Sequence, residues 1–127
     1  MIWNRKRKTN NEQQEFVLSA DQIKPLVSEK MGGCIATNKI TKEGFPVRFM
    51  YRLTPHNNMD SGWHFMSGYE DDDYMNNPSN HAIYAVNTIA NYDNTIIPHL
   101  ETPANCAFEK TPEEQKFSQV FDFDFSE

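Results

Sequence analysis

Cysteine is scarce: Cys34 and Cys106 are the two in a chain of 127 residues, far apart and in no C-x-x-C pattern. That favours two free buried thiols in a reducing cytoplasm over a disulfide. Long apolar runs are missing too. No stretch of about 18 apolar residues is present to cross a bilayer, and residues 1–15 have no apolar segment behind their charges that would read as a signal peptide. The expectation is a cytoplasmic protein without a membrane span.

The motifs of common chemistries are also lacking. His56, His64, His81 and His99 form no H-x-x-x-H or H-E-x-x-H pair, and Glu70 to Asp73 lacks the alternating acids, glycine and distal glutamate of a calcium loop. Gly32-Gly33 continues into neither a Walker loop nor G-x-G-x-x-G, and Ser61 and Ser67 stand outside G-x-S-x-G. Asp60 and Glu70 imitate a glycosidase pair, but any chain with 18 acids offers such pairs. No catalytic residue, metal or cofactor is expected. An enzymatic or small-molecule pocket, with Cys34 meeting a histidine in space, is the alternative.

What is present is aromatic and acidic. Nine Phe, five Tyr and two Trp argue for a packed core despite a mean hydropathy of −0.74. The net charge of −6 conceals an asymmetry, because Arg5, Lys6, Arg7 and Lys8 gather in the first eight residues and leave residues 9–127 with a net −10. An acidic body disfavours nucleic acid or an anionic membrane as partner and favours a basic protein surface. The organisation expected is a flexible basic extension over 1–15, read as a solvated tail rather than a nucleic-acid arm, followed by one α+β domain over 16–127.

Along that domain, Ser19-x-x-Gln22 resembles a capping box ahead of Ile23, Leu26 and Val27, which predicts an N-terminal helix with Pro25 kinking or restarting it and Gly32-Gly33 ending it. Cys34–Thr37 reads as a strand and Asn38–Pro46 as a turn. Val47, Phe49, Tyr51 and Leu53 alternate with polar or flexible neighbours in the clearest strand, and Trp63, Phe65 and Ser67 alternate in a third. Short connections predict an antiparallel meander within a small, mostly antiparallel sheet. A short helix over Asp71–Asn76, strands at Ile83–Val86 and Asn105–Glu109, and irregular helix between them complete the pattern. In the tail, Phe117, Phe121, Phe123 and Phe125 share one face at period two, which favours a strand returning to the sheet over an exposed tail that pairs with a partner.

The stretch Ser61 to Pro78 sets an aromatic strand against the densest negative run in the chain. Trp63, Tyr69 and Tyr74 bracket Glu70, Asp71, Asp72 and Asp73, and aromatic anchors beside a charged rim suit an interface with a basic partner. These seven residues are the candidate partner-binding surface; the alternative reading makes Trp63 and Phe65 core residues and the acids a solvated cap.

GGCIATNKIT, VRFMYR, DSGWHFMSGYEDD, NNP, VNTIANYD, IIPHL and CAFEK together resemble the immunity protein 33 family, formerly domain-of-unknown-function family 2185, over about residues 32–110. The resemblance implies an α+β, non-enzymatic protein of bacterial polymorphic toxin systems that binds and neutralises a toxin domain in the cytoplasm. It supplies no catalytic residues. Members often carry a basic residue after the tryptophan, where this chain has His64.

Overall fold

Trp63 and Phe65 fall on one side of an extended chain and His64 and Met66 on the other, the period-two geometry of a strand. In the computed structural model, which describes residues 15–126, these residues lie in β3 (Asp60–Met66), near the middle of a six-stranded sheet. The other strands are β1 (Gly33–Thr37), β2 (Phe49–Arg52), β4 (His81–Ala85), β5 (Cys106–Glu109) and β6 (Ser118–Val120), in the spatial order β4-β1-β3-β2-β5-β6. All pairings but one are antiparallel. Apart from Glu15, the basic extension lies outside the described residues.

The exception corrects the expected meander, because β1 runs parallel to β3, with Ile35 opposite His64, and does not pair with β2. A short helix, α1 (Asn38–Thr41), forms where a plain turn was expected, and it carries the chain past β3's place to lay down β2 first. Residues 53–59 then join β2 to β3 as a hairpin, and the Leu53 N–H donates to the Gly62 carbonyl at 2.9 Å. Gly62 has φ +87°, and a Cβ there would stand 2.0 Å from the Leu53 carbonyl oxygen, so the position admits glycine alone.

One sheet face holds the core. Cys34, Ala36, Met50, Trp63, Phe65, Cys106 and Phe108 are buried beneath α3 (Val86–Tyr92) and the 3-10 segment Asn94–His99, which contribute Val86, Ile89, Ala90 and Ile96. Burying a side chain such as Phe65 contributes about 2–3 kcal/mol, so this layer supplies the bulk of the stabilisation. On β2 the inward residue is Met50, while Phe49 and Tyr51 face the opposite way, the reverse of the expected face. Pairing explains the reversal: Met50 sits opposite Phe65 and must share its side.

Two expectations at the ends are also corrected. The N-terminal helix is replaced by two single 3-10 turns, Ala20–Gln22 and Glu29–Met31. The capping interaction forms, with the Gln22 side chain accepting from the Ser19 N–H at 2.8 Å, yet Pro25 lacks the N–H that a continuing helix needs. Residues Lys24–Val27 instead run as a strap whose backbone is held by Asn87 and Asn91 of α3. The tail does return as β6, but its phenylalanines divide. Phe117 enters the core, Phe123 packs on Phe49 and Tyr51 across the outer face, Phe125 packs on Phe123, and Phe121 remains 84% exposed.

Candidate functional site

β1 and β3 run parallel, so their C-terminal ends open onto the same corner, where Thr37 meets the turn Ser67–Glu70. Glu70 closes that turn. Its carboxylate accepts from the Ser67 and Gly68 N–H groups at 2.8 and 2.9 Å and from the Thr37 hydroxyl at 2.5 Å. Burial works to raise the Glu70 pKa, but these hydrogen bonds outweigh it and hold the carboxyl below its ordinary value. Glu70 is thus a structural acid, joined to the candidate surface only through the turn it builds.

The next three acids are placed differently. Asp71 caps α2 (Asp72–Met75) by accepting from the Tyr74 N–H at 2.8 Å, and Asp72 and Asp73 occupy its first turn, where a negative charge opposes the positive end of the helix favourably. All three are exposed, and among the described residues none is ion-paired with a lysine or arginine. Their field is left open to solvent.

Aromatic rings edge this corner. Tyr69 is 54% exposed and packs on Phe45, with ring centroids 5.1 Å apart. Tyr74 is half-buried, and its phenol pKa is raised, first by burial and then by the charges of Glu43 and Glu70. The Lys39 ammonium of α1 lies 5.0 Å from the Tyr74 ring and 5.9 Å from Phe45, and pairs with Glu43 at 3.7 Å. The rings therefore already face one cation of the chain itself.

Trp63 is not at this surface, and its placement among partner-contacting residues is corrected. It is fully buried, stacks with Phe65, and donates its indole N–H to the Leu100 carbonyl at 3.1 Å. Its alternation with Phe65 was the signal of a core position. The structure thus brings Tyr69, Asp71, Asp72, Asp73 and Tyr74 together, sets Glu70 beneath them and leaves Trp63 inside.

The alternative pocket can be located as well. A cavity of about 350 Å³ is bounded by Gly33, Cys34, Ile35, His56, Asn57, Met59, Asp60 and Ile83, so Cys34 and His56 do share a lining. The Cys34 thiol, however, is 2% exposed and pushed far above its ordinary pKa by burial, which keeps it protonated and unreactive. Burial opposes the charge of Asp60, but N–H donors from His56 and Gly62, followed by the charges of His56 and His64, lower its pKa, so it stays ionised. Near neutrality the buried thiol is therefore no thiolate nucleophile, and the ionised Asp60 is no general acid. Among the described residues no cluster of three or more His, Cys, Asp or Glu is placed to hold a metal ion, and no helix is long and apolar enough to cross a membrane.

Sequence reasoning missed two features beside this corner: the amide pair Asn87 and Asn91, and the exposed edge of β4 with Ile83 at its centre. The first was signalled by two asparagines at helical i,i+4 spacing. In comparisons with known families, residues 34–121 match the Immunity protein Imm33 domain. No curated protein and no solved structure matches the chain significantly.

Proposed function

We propose that this chain, which belongs to the immunity protein Imm33 family, neutralises a bacterial toxin in the cytoplasm by binding it directly, without catalysis. The observation that carries the reading is the corner formed by Asp71, Asp72 and Asp73: three exposed carboxylates with no lysine or arginine paired to them among the described residues, flanked by Tyr69 and Tyr74 on a scaffold that Glu70 ties down. Like charges gathered at one corner repel one another, and a surface of opposite sign relieves that repulsion. The occupant that fits is a basic protein surface, neither a nucleic acid nor a membrane, with Tyr69 and Tyr74 supplying apolar contact beside the charges.

The corresponding experiment is capture from the native bacterium with tagged protein, washed first at low and then at moderate salt. The expected result is one basic, toxin-like protein that leaves as salt rises. Failure to recover a specific protein with the domain folded overturns the reading and moves attention to the cavity beside Cys34.

A further inference from the structure

Both edges of the sheet are single strands, and they are unequally guarded. β6 is three residues long and sits between Lys116 and Asp122, so it offers little to a neighbouring chain. β4 is five residues, His-Ala-Ile-Tyr-Ala, with no charged residue, proline or glycine, and its register against β1 is unbroken from Thr37 to Gly33. Charges, proline, bulges and shortness are the usual protections of an edge. β4 has none of them.

The phase of its hydrogen bonding follows from one contact. The Val86 N–H donates to the Gly32 carbonyl at 2.9 Å, so by alternation Tyr84 and Ala82 bond to β1, while His81, Ile83 and Ala85 turn their N–H and C=O groups to the open side. Among the described residues no turn, loop or side chain meets those groups. Ile83 is 79% exposed, and Met59, 77% exposed, stands near it at the mouth of the 350 Å³ cavity.

This edge begins at the acidic corner. The Tyr74 hydroxyl donates to the Asn80 carbonyl at 3.4 Å, the Asn80 amide donates back to the Tyr74 carbonyl at 3.0 Å, and a His81 ring nitrogen lies 3.2 Å from the Met75 carbonyl. α2 is therefore moored to the residue where β4 starts. Among the described residues, a strand edge with no hydrogen-bonding neighbour and a set of carboxylates with no cationic partner therefore lie side by side.

We propose that the free edge of β4 receives an extended, lysine- or arginine-bearing segment of the partner as a seventh strand. The main chain of His81, Ile83 and Ala85 pairs with it, Ile83 and Met59 pack its apolar side chains, and Asp71 to Asp73 meet its cations at the His81 end. The inference rests on the basic partner of the preceding section. Strand addition of this kind draws affinity from main-chain hydrogen bonds and specificity from alternate side chains. Charge complementarity favours that occupant over a second copy, which would bring a like net charge of −6 to the contact.

A synthetic peptide of two lysines followed by alternating valine and threonine tests the edge directly, with amide hydrogen exchange of the full chain read by NMR. Saturating peptide is expected to slow exchange at His81, Ile83 and Ala85 by about tenfold or more. Ile83→Pro removes an N–H that gives nothing to β1 and should weaken peptide binding about tenfold; Ile83→Lys, at a side chain already in solvent, gives the same readout should the proline variant not fold. Unchanged exchange at all three amides, or peptide binding by both folded variants as tight as that of the wild type, overturns the proposal. Protection of the same amides that grows with protein concentration alone overturns the partner assignment in favour of a second copy. Peptide protection without any toxin-like protein captured from the bacterium leaves the edge standing and removes the immunity reading; capture of such a protein equally well by the folded variants does the reverse.

Discussion

Lys110 and Asp93 meet at 3.2 Å with less than a tenth of either side chain exposed. The same Asp93 oxygen accepts from the Val47 N–H, the other accepts from the Thr95 N–H and hydroxyl, and the Lys110 ammonium also donates to the Thr95 hydroxyl and lies 4.8 Å from the Phe117 ring. One ion pair thus fastens the end of β5, the approach to β2, the 3-10 segment after α3 and the returning tail. Lys110→Met strands a buried carboxylate and should cost about 3–5 kcal/mol, whereas Lys110→Met with Asp93→Asn should cost less than the single change. Urea unfolding of the wild type, both single variants and the double variant measures the coupling.

Glu70 imposes a pH dependence whose sign is fixed. Its folded pKa lies below the ordinary value because the Ser67 N–H and the Thr37 hydroxyl outweigh the burial that opposes its charge. The unfolded chain therefore takes up the proton first as pH falls. The stability Glu70 contributes is present above the ordinary glutamate pKa of about 4.3 and is lost as pH falls through the lower folded value. Asp60 acts in the same direction. Denaturation midpoints should decline through this acid window, and Glu70→Gln should flatten the decline; an identical pH profile for the variant would show that Glu70 carries none of it.

Replacing Asp71, Asp72 and Asp73 together by asparagine keeps a competent cap on α2, since asparagine caps as well as aspartate. The fold should survive with an unchanged circular dichroism spectrum. Association with a captured basic partner should slow by about tenfold or more at low salt, and the salt dependence of its rate should flatten. Stopped-flow or biosensor association rates decide this, and unchanged rates remove the corner from the interface.

Asn87 and Asn91 bind the strap through its main chain alone. Asn87 accepts from the Leu26 and Val27 N–H groups, Asn91 accepts from the Lys24 N–H, and both side chains donate to the Lys24 carbonyl. Asn87→Ala should cost about 1–3 kcal/mol at roughly 1 kcal/mol per net hydrogen bond, and it should speed exchange of the Leu26 and Val27 amides while β3 stays protected. Substituting Leu26, which is 47% exposed, should leave both readouts unchanged.

The local alternation at Trp63-His64-Phe65 is enough to find β3, whereas the tail returns to the sheet through Ser118–Val120, a segment that holds none of the repeating phenylalanines. Neither pattern could report on partners distant in the chain. Met50 rather than Tyr51 faces the core because of what stands opposite it on β3, and β1 chooses β3 rather than β2 because α1 carries the chain past it. Trp63 was drawn into the candidate surface by its proximity in sequence to the acids, although the twist of one strand residue separates inside from outside. Glu70 illustrates the same limit in reverse: within a run of four acids nothing marks the one that serves the backbone, except its spacing of three from Ser67. The exposed β4 edge was invisible because an apolar run reads alike in a central strand and at an edge.

The position of β1 also sets an order of assembly. Its Ile35 pairs with His64 on one side and with Ile83, 48 residues further along, on the other. During synthesis at roughly 5–20 residues per second, the apolar run Cys34–Thr37 therefore leaves the ribosome seconds before either neighbour exists. The β2–β3 hairpin, closed locally at Gly62, can form first and wait. A nascent chain of this protein is thus most open to misassociation in the interval before β4 emerges, and stalling translation there would expose β1 for longest.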